Sequence, residues 1–382
     1  VSQRQQWHSR IGFVLAASGS AIGLGNIVFF SANAYKFGAG AFYLPYFLAL
    51  FVVGVPVMML EFGLGKHTQS SFPSALGKVG GKAGEATGWF AILNALVITM
   101  YYTTILGWVA GMWWAAFFGD LWQEAVQAPA FGMETITNPI GSFFSLLSSW
   151  SNVGFVAFVW FINILVVSRG TKSIERAVKF MVPLIWVVMI IFIVRGLSQA
   201  GGIHGAYLLF NPEFSVLANP EVWHGAFSQI FFTLTLGFGV MTAYSSYLPK
   251  RSDHVGNAVV VSMMNCAFEM IAGLAIFSLL FVYALAPKAS TLSMMFFIIP
   301  EAIGQLPTGV KLAGTGFFTL LLFAGISSSI SLLEAGISAI HDKFEIKRGW
   351  SVAALSIVGF LGSILFALPK VIDPAIEATG TL

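Results

Sequence analysis

Residues 17–30 read ASGSAIGLGNIVFF and lie inside the first long apolar stretch of the chain. A helix that crosses a membrane needs an unbroken hydrogen-bond ladder, because an unpaired backbone group in hydrocarbon is costly. This stretch nevertheless carries Gly19, Gly23 and Gly25, the hydroxyls of Ser18 and Ser20, and then Asn26. The helix is weakened at the depth where its backbone bonds matter most. Such a break survives only where other groups bond the freed amides and carbonyls.

The surrounding composition puts that stretch in lipid. Of 382 residues, 57% are hydrophobic and only 9% are charged, against roughly 25% charged in a soluble domain. Apolar runs of membrane-spanning length recur, so the first is not a cleavable leader. The spans are expected at 10–36, 40–65, 86–118, 153–169, 177–196, 224–248, 256–286, 311–340 and 350–367, with a tenth starting near 372. The residues from there to Leu382 are too few to cross about 30 Å of hydrocarbon as a helix. Truncation, or a remainder outside the sequence, is therefore expected. A single cysteine, Cys266, excludes a disulfide within the chain and any CxxC metal site. The formal charge of +3 argues against a nucleic acid partner.

Loop charges set the expected orientation. Lys36, Arg195, Lys288, Lys311 and Lys370 fall on one side, and the other fourteen of the 19 Lys and Arg fall with the N-terminus. The positive-inside bias then makes the N-terminus cytoplasmic. The loop 119–151 on the opposite side has Asp120, Glu124 and Glu134 and no basic residue, which agrees.

A second interrupted span answers the first. Residues 228–249, SQIFFTLTLGFGVMTAYSSYLP, place Gly237, Gly239, Thr233 and Thr235 inside an apolar helix. One glycine in one helix is ordinarily a packing device. Here the interruptions fall in spans one and six, as two five-helix halves of an internal repeat would place them. Glycine-broken segments at matching positions of two halves point to a transporter binding site. Freed carbonyls can ligate a cation, and freed amides at a half-helix N-terminus attract an anion. A zwitterion with adjacent metal ions satisfies both, and an amino acid is one.

At these residues the sequence resembles the neurotransmitter:sodium symporter family, most closely its bacterial LeuT-type amino acid transporters. The resemblance runs from Arg4 to the end. It rests on WHSRIGF at 7–13, GSAIGLGN at 19–26, GAGAFYLPY at 38–46 and PVMMLEFGLG at 56–65. Tyr101 with Tyr102, SQIFFTLTLGFG at 228–239 and AGISSS at 324–329 complete it. It implies an all-α membrane protein of the LeuT-type fold, a 5+5 inverted repeat with spans one and six discontinuous. The whole chain, 1–382, is then one transporter domain. The first repeat covers about 10–196 and the second about 224–382, the latter without spans beyond the start of the tenth.

The resemblance also implies a site, residue by residue. One sodium ion is expected on the Ala21 carbonyl, Asn26, Thr233 and Asn265, with the substrate carboxylate. A second is expected on the carbonyls of Gly19, Ile22 and Ala324 and the hydroxyls of Ser327 and Ser328. Both sets are all oxygen, as hard cations prefer, and neither holds a charged protein ligand, which suits a monovalent ion. The substrate carboxylate would meet the amides of Leu24 and Gly25 and the Tyr102 hydroxyl. Its ammonium would meet carbonyls of Ala21, Phe232 and Thr233, with the Thr235 hydroxyl. Ile98, Tyr102, Phe232, Phe238, Ser328 and Leu332 would wall the side chain. Amine-carrying relatives have aspartate where this chain has Gly23, which favours an amino acid. Glu269, four residues after Asn265 and so on the same helix face, stands where chloride-independent relatives carry an acid, near Tyr46 and Gln229. Glu61 would support the broken first helix.

The gates differ in their agreement with the family. Arg4, Asp342, Tyr247 and Ser246 match an inner gate. The outer gate departs: Phe29 and Ser31 replace the arginine and proline of the family, and Ile376 aligns with its partner aspartate. An apolar lid of Phe29 against Ile376 and Phe232 would replace the ion pair. Glu334, inside span eight, fits a proton site, a substrate contact or a cavity wall equally well.

The resulting expectation is a sodium-coupled importer of a neutral, hydrophobic amino acid in the bacterial plasma membrane, chloride-independent and without a catalytic site. Its alternatives are a proton- or other cation-coupled transporter of a different substrate, or a non-transporting sensor or scaffold. A membrane enzyme lacks support, since no nucleophile–His–acid set or HExxH motif is present. The sequence leaves oligomeric state open.

Overall fold

A computed structural model describes residues 5–119, 121–122, 138–285, 287 and 290–373. The first span is split as its glycines predict. Helix α1, Arg10–Ala21, is capped by the Ser9 hydroxyl on the Gly12 amide at 3.0 Å. It stops at Ile22, which is extended (φ −76°, ψ 95°). The chain resumes as α2, Gly25–Lys36, at 58° to α1. Helix α3 is Gly40–Thr68, and α4 is Phe72–Phe118. Next come α5, Asn138–Leu147, α6, Trp150–Val167, α7, Thr171–Leu197, and α8, Gly202–Phe210.

The sixth span is broken as well. Helix α9, Pro220–Thr233, is separated from α10, Val240–Ser245, by residues in left-handed conformations: Thr235 (φ 55°), Gly237 (φ 80°) and Gly239 (φ 76°). A left-handed threonine is strained, so this turn is held by its surroundings rather than by local preference. Helix α11, His254–Leu280, starts under an Asp253 cap on the Gly256 amide. Then follow α12, Thr291–Gly304, α13, Val310–Phe344, and α14, Arg348–Ile372. Among the described residues the only β pairing is an isolated Ala39–Pro212 bridge.

Among the described residues seven helices are long and apolar enough to cross a membrane, and the bent pair α1 and α2 makes an eighth span. These are eight of the expected spans, and the sixth is the broken pair α9 and α10. Three differences have physical reasons. Helix α4 begins fourteen residues before the expected 86, because a polar first segment joins the span through a kink at Gly81 (φ 61°, ψ −149°). Helices α5, α8 and α12 lie in segments read as loops. Each is too short, at about 1.5 Å per residue, to cross roughly 30 Å of hydrocarbon. The tenth span lies outside the described residues.

Burial separates scaffold from lipid face. The apolar window of α13 is 83% buried and that of α7 only 28%. Helix α13 is rich in Gly, Ala and Ser, which lets neighbours approach closely. A Cβ on its Gly325 would meet the Leu106 side chain of α4. The broken spans therefore sit against a rigid central helix that brings Ser327 and Ser328 to the break in the first span.

Candidate functional site

The break between α1 and α2 leaves carbonyls and amides without ladder partners, and side chains from α4, α13 and the turn between α9 and α10 take them, together with Asn26 of α2 itself. The Ser327 hydroxyl donates to the Gly19 carbonyl at 2.6 Å, and Ser328 donates to the Ser20 carbonyl at 3.0 Å. Thr235 Oγ1 donates to that same Ser20 carbonyl at 3.4 Å. Both serines also donate to the Ala324 carbonyl, at 2.9 and 3.2 Å. Gly19, Ala324, Ser327 and Ser328, expected around a second cation, thus form one buried oxygen cluster. Ile22 is buried at the break itself.

The freed amides are bound from the other side. Asn26 Oδ1 accepts from the Gly23 amide at 2.8 Å, and the Tyr102 hydroxyl accepts from Leu24 at 3.4 Å. Asn26 Nδ2 donates to Thr233 Oγ1 and to Asn265 Oδ1, both at 2.7 Å. Asn265 Nδ2 donates to Thr233 Oγ1 at 3.1 Å. This joins both broken spans to α11 through the residues expected around a first cation. As assigned, the Asn26 amide nitrogen faces Thr233, so the carbonyl oxygen would face a cation there only after an amide flip, a choice set by the bonding network.

Glu269 terminates that network. It is fully buried, and it accepts from Thr233 Oγ1 at 2.7 Å, from Gln229 Nε2 at 2.6 Å and from the Tyr46 hydroxyl. Among the described residues its bonded partners are three neutral donors and no cation. A buried carboxylate so placed lowers the potential at the neighbouring oxygen cluster, which favours a cation there. The sixth-span break is held in a similar way. Glu61 Oε1 accepts from the Gly237 amide at 2.7 Å, and its backbone carbonyl accepts from Thr242 and Ser245 hydroxyls at 3.3 Å each.

Between the breaks lies a cavity of about 80 Å3. Ala21, Leu24, Gly25, Ile98, Tyr102, Phe232, Thr233, Thr235, Phe238, Ser328 and Leu332 all line it, so every residue expected to hold the substrate faces one space. Ser20, Gly23, Asn26 and Tyr101 line it too. Ser20 and Tyr101 were not expected there. Both sit beside expected residues in quoted motifs, which was the available signal. One end of the cavity is polar backbone, and the other is the apolar surface of Ile98, Phe238 and Leu332, continuous with a small core around Val240 and Ala335.

The two approaches to the cavity are unequal. On the side of the N-terminal segment, Trp7, Tyr244, Ser246 and Tyr247 are buried. Trp7 Nε1 donates to the Tyr244 carbonyl at 2.8 Å, and its amide donates to the Tyr247 carbonyl at 3.2 Å. On the opposite side Phe232 is 51% and Tyr101 37% exposed. Phe29 meets Phe232 edge to face, with ring centroids 6.4 Å apart. Ser31 bonds back to the Ile27 carbonyl at 3.3 Å, so the helix absorbs a serine where proline was expected.

Other gate expectations change or fall outside view. Arg4 and Ile376 lie outside the described residues. Asp342 accepts from the Ser71 amide at 2.6 Å, the Ser246 hydroxyl donates to the Ala243 carbonyl at 2.6 Å, and the Tyr247 hydroxyl donates to Glu334 at 2.8 Å. Glu334 neither lines the cavity nor touches its polar end. It is fully buried and paired with Arg348, so the substrate-contact and cavity-wall readings are dropped. Arg348 had been read only as a loop charge.

Residues 4–130 and 133–370 match the sequence profile of the sodium:neurotransmitter symporter family. The chain belongs to that family. It is 38% identical to an uncharacterised sodium-dependent transporter of Methanocaldococcus jannaschii, over 95% of this chain and 75% of that one. It is 31% identical to the sodium-dependent serotonin transporter of Drosophila melanogaster, over 96% of this chain and 64% of the relative. The crystal structure of MhsT in complex with L-phenylalanine superposes with a TM-score of 0.84 at 32% identity, covering 100% of this chain and 84% of MhsT. Family membership makes the chain an integral membrane, sodium-dependent secondary transporter with the LeuT-type fold.

Proposed function

We propose that the chain imports a neutral, hydrophobic amino acid together with two sodium ions, without chloride, by alternating exposure of the cavity. The observation that carries this reading is the cavity's polarity. Its polar end is built from two unwound helices, while its distal wall is Ile98, Phe238 and Leu332. The amides of Leu24 and Gly25 suit a carboxylate, and nearby carbonyls suit an ammonium. A side chain that reaches the far wall finds only apolar surface, so a charged one would be left unpaired. MhsT, whose structure holds L-phenylalanine, supports the same substrate class.

Gly23 argues against an amine. A Cβ there would stand 2.9 Å from Ser328 Oγ and 3.2 Å from the Tyr102 hydroxyl, which leaves no room for a pairing aspartate. Glu269 supports chloride independence, since a fixed carboxylate already supplies a negative charge beside the expected sodium ligands. Sodium as cargo is consistent with the buried oxygen cluster of Gly19, Ala324, Ser327 and Ser328, and with Asn26, Thr233 and Asn265 once the Asn26 amide turns its oxygen toward the ion. Two such ions crossing ~100 mV supply roughly 4.6 kcal/mol, enough for about 10³-fold accumulation of a zwitterion. The proton- or other cation-coupled alternative was motivated by Phe29 and Glu334; the pairing of Glu334 with Arg348 weighs against Glu334 as a proton site, and the Phe29 departure is left to the test below.

The test is a binding screen of the twenty amino acids with and without sodium, followed by uptake into proteoliposomes. Sodium-dependent binding of leucine-, phenylalanine- or tryptophan-like substrates is expected, with accumulation that collapses when the sodium gradient does. Uptake that ignores sodium and follows a proton gradient would refute the proposal. So would binding without any accumulation.

A further inference from the structure

The elbow between α6 and α7 holds a hollow of about 460 Å3 that the transport site does not use. Leu165, Val166, Ser168, Arg169, Lys172 and Arg176 line it. Gly170 (φ 65°) turns the chain between the two helices. Arg169 therefore precedes the turn, while Lys172 and Arg176, at i and i+4, follow it on one face of α7. All three cations are exposed. Among the described residues none of them forms an ion pair or a side-chain hydrogen bond. The carboxylate nearest in sequence, Glu175, is buried and occupied by the His8 amide, the Ser9 hydroxyl and Lys179. It does not neutralise the hollow.

Next to these cations each helix turns apolar. On α6, Phe161 and Leu165 are 61% and 58% exposed and lie at i and i+4, leading to Arg169. On α7, Phe180 is 63% exposed and sits one turn beyond Arg176. Both helices are long and apolar enough to cross a membrane, which sets these exposed side chains toward acyl chains. Three cations at the interface above two rows of lipid-facing apolar groups complement one kind of molecule. A free phosphate ion would use the cations and ignore the rows.

We propose that the α6–α7 elbow binds the phosphate headgroup of an anionic phospholipid, with acyl chains along Phe161, Leu165 and Phe180. The site bears on transport because the elbow anchors the N-terminal segment. The Thr171 amide donates to Gln5 Oε1, and the Thr171 hydroxyl donates to the Gln6 carbonyl, both at 3.1 Å. That segment leads directly to Trp7 under the cavity. A bound lipid holds the elbow in the arrangement that fastens it.

The full chain, purified in mild detergent with mixed phosphatidylglycerol and phosphatidylcholine, is examined by native mass spectrometry for retained lipid. Enrichment of phosphatidylglycerol is expected, falling about fivefold for Arg176→Gln and further for Arg169→Gln/Lys172→Gln/Arg176→Gln. The charge-matched control Lys82→Gln/Lys250→Gln/Arg251→Gln should keep the enrichment, and sodium-dependent substrate binding certifies the fold of each variant. Unchanged enrichment in the Arg176 variant, or an equal loss in the control, would overturn the proposal. Displacement of the lipid by excess inorganic phosphate would also overturn it, in favour of a free-anion site.

Discussion

Arg348, in the first turn of α14, donates Nη1 to Glu334 Oε1 at 2.9 Å and Nη2 to Oε2, and the Tyr247 hydroxyl donates to the same carboxylate at 2.8 Å. Arg348 Nη2 also reaches the Val167 carbonyl at 2.6 Å. One buried ion pair thereby ties α13 and α14 to the end of α6 and to Tyr247, whose carbonyl receives Trp7. Removing one member of a buried pair strands the other, at about 3–5 kcal/mol. Glu334→Ala is expected to lower the melting temperature sharply in detergent, and Glu334→Leu/Arg348→Met to recover much of the loss. The single variant should also expose the floor of the cavity. Cys266 is buried, so a cysteine introduced at Ser246 reports this as faster labelling from the side of the N-terminal segment.

Asn26 does two jobs: it caps the Gly23 amide and it joins Thr233 to Asn265. Asn26→Ala leaves three buried polar groups short of a partner, each worth about 1–3 kcal/mol. Sodium-dependent substrate binding is expected to disappear. Undiminished affinity in this variant would contradict the first sodium site.

Glu269→Ser removes the buried acid proposed to supply the negative charge and keeps a small hydroxyl near Tyr46 and Gln229. Binding by this variant is expected to need an added anion. It should recover in chloride and fail in gluconate, whereas the unmodified chain is expected to bind equally in both. Equal uptake by the variant in both salts would separate Glu269 from any chloride-substituting role.

Gly23→Asp places a carboxylate against Ser328 and Tyr102, where a Cβ alone already crowds their oxygens at 2.9 and 3.2 Å. It also sets like charge beside the substrate carboxylate. Amino acid affinity is expected to fall more than tenfold, since one tenfold step is only about 1.4 kcal/mol. Competition binding against the preferred amino acid measures it.

The breaks were legible because glycine and hydroxyl residues are anomalous in an apolar span, whereas the cavity-lining residues were named from the family resemblance, since Ile98, Tyr102, Ser328 and Leu332 lie on α4 and α13, away from both breaks in sequence. What escaped was of another kind. Arg348 reaches Glu334 across the turn between α13 and α14, and no periodicity links a helix interior to the first residue of the next helix. Thr291–Gly304 carries the right composition but too little length to register as a span. The kink at Gly81 joins a polar segment to an apolar one, and a hydropathy reading starts only at the second. In each case the missing information was a contact or a chain direction rather than a residue preference.

The ring of Phe29, expected from the resemblance to replace a gate arginine, meets Phe232 edge to face at 6.4 Å. Such a pair contributes about 0.5–1.5 kcal/mol beyond area burial. If the pair covers the occupied cavity, its loss acts on escape more than on entry, because entry begins with the lid open. Phe29→Ala is therefore expected to speed substrate dissociation by up to about tenfold, with association changed little. Phe29→Tyr, which keeps the ring, should restore slow release. Dissociation of radiolabelled substrate after dilution into sodium-containing buffer resolves the two rates. An alanine variant that releases substrate at the unmodified rate would show that Phe29 and Phe232 touch without closing anything.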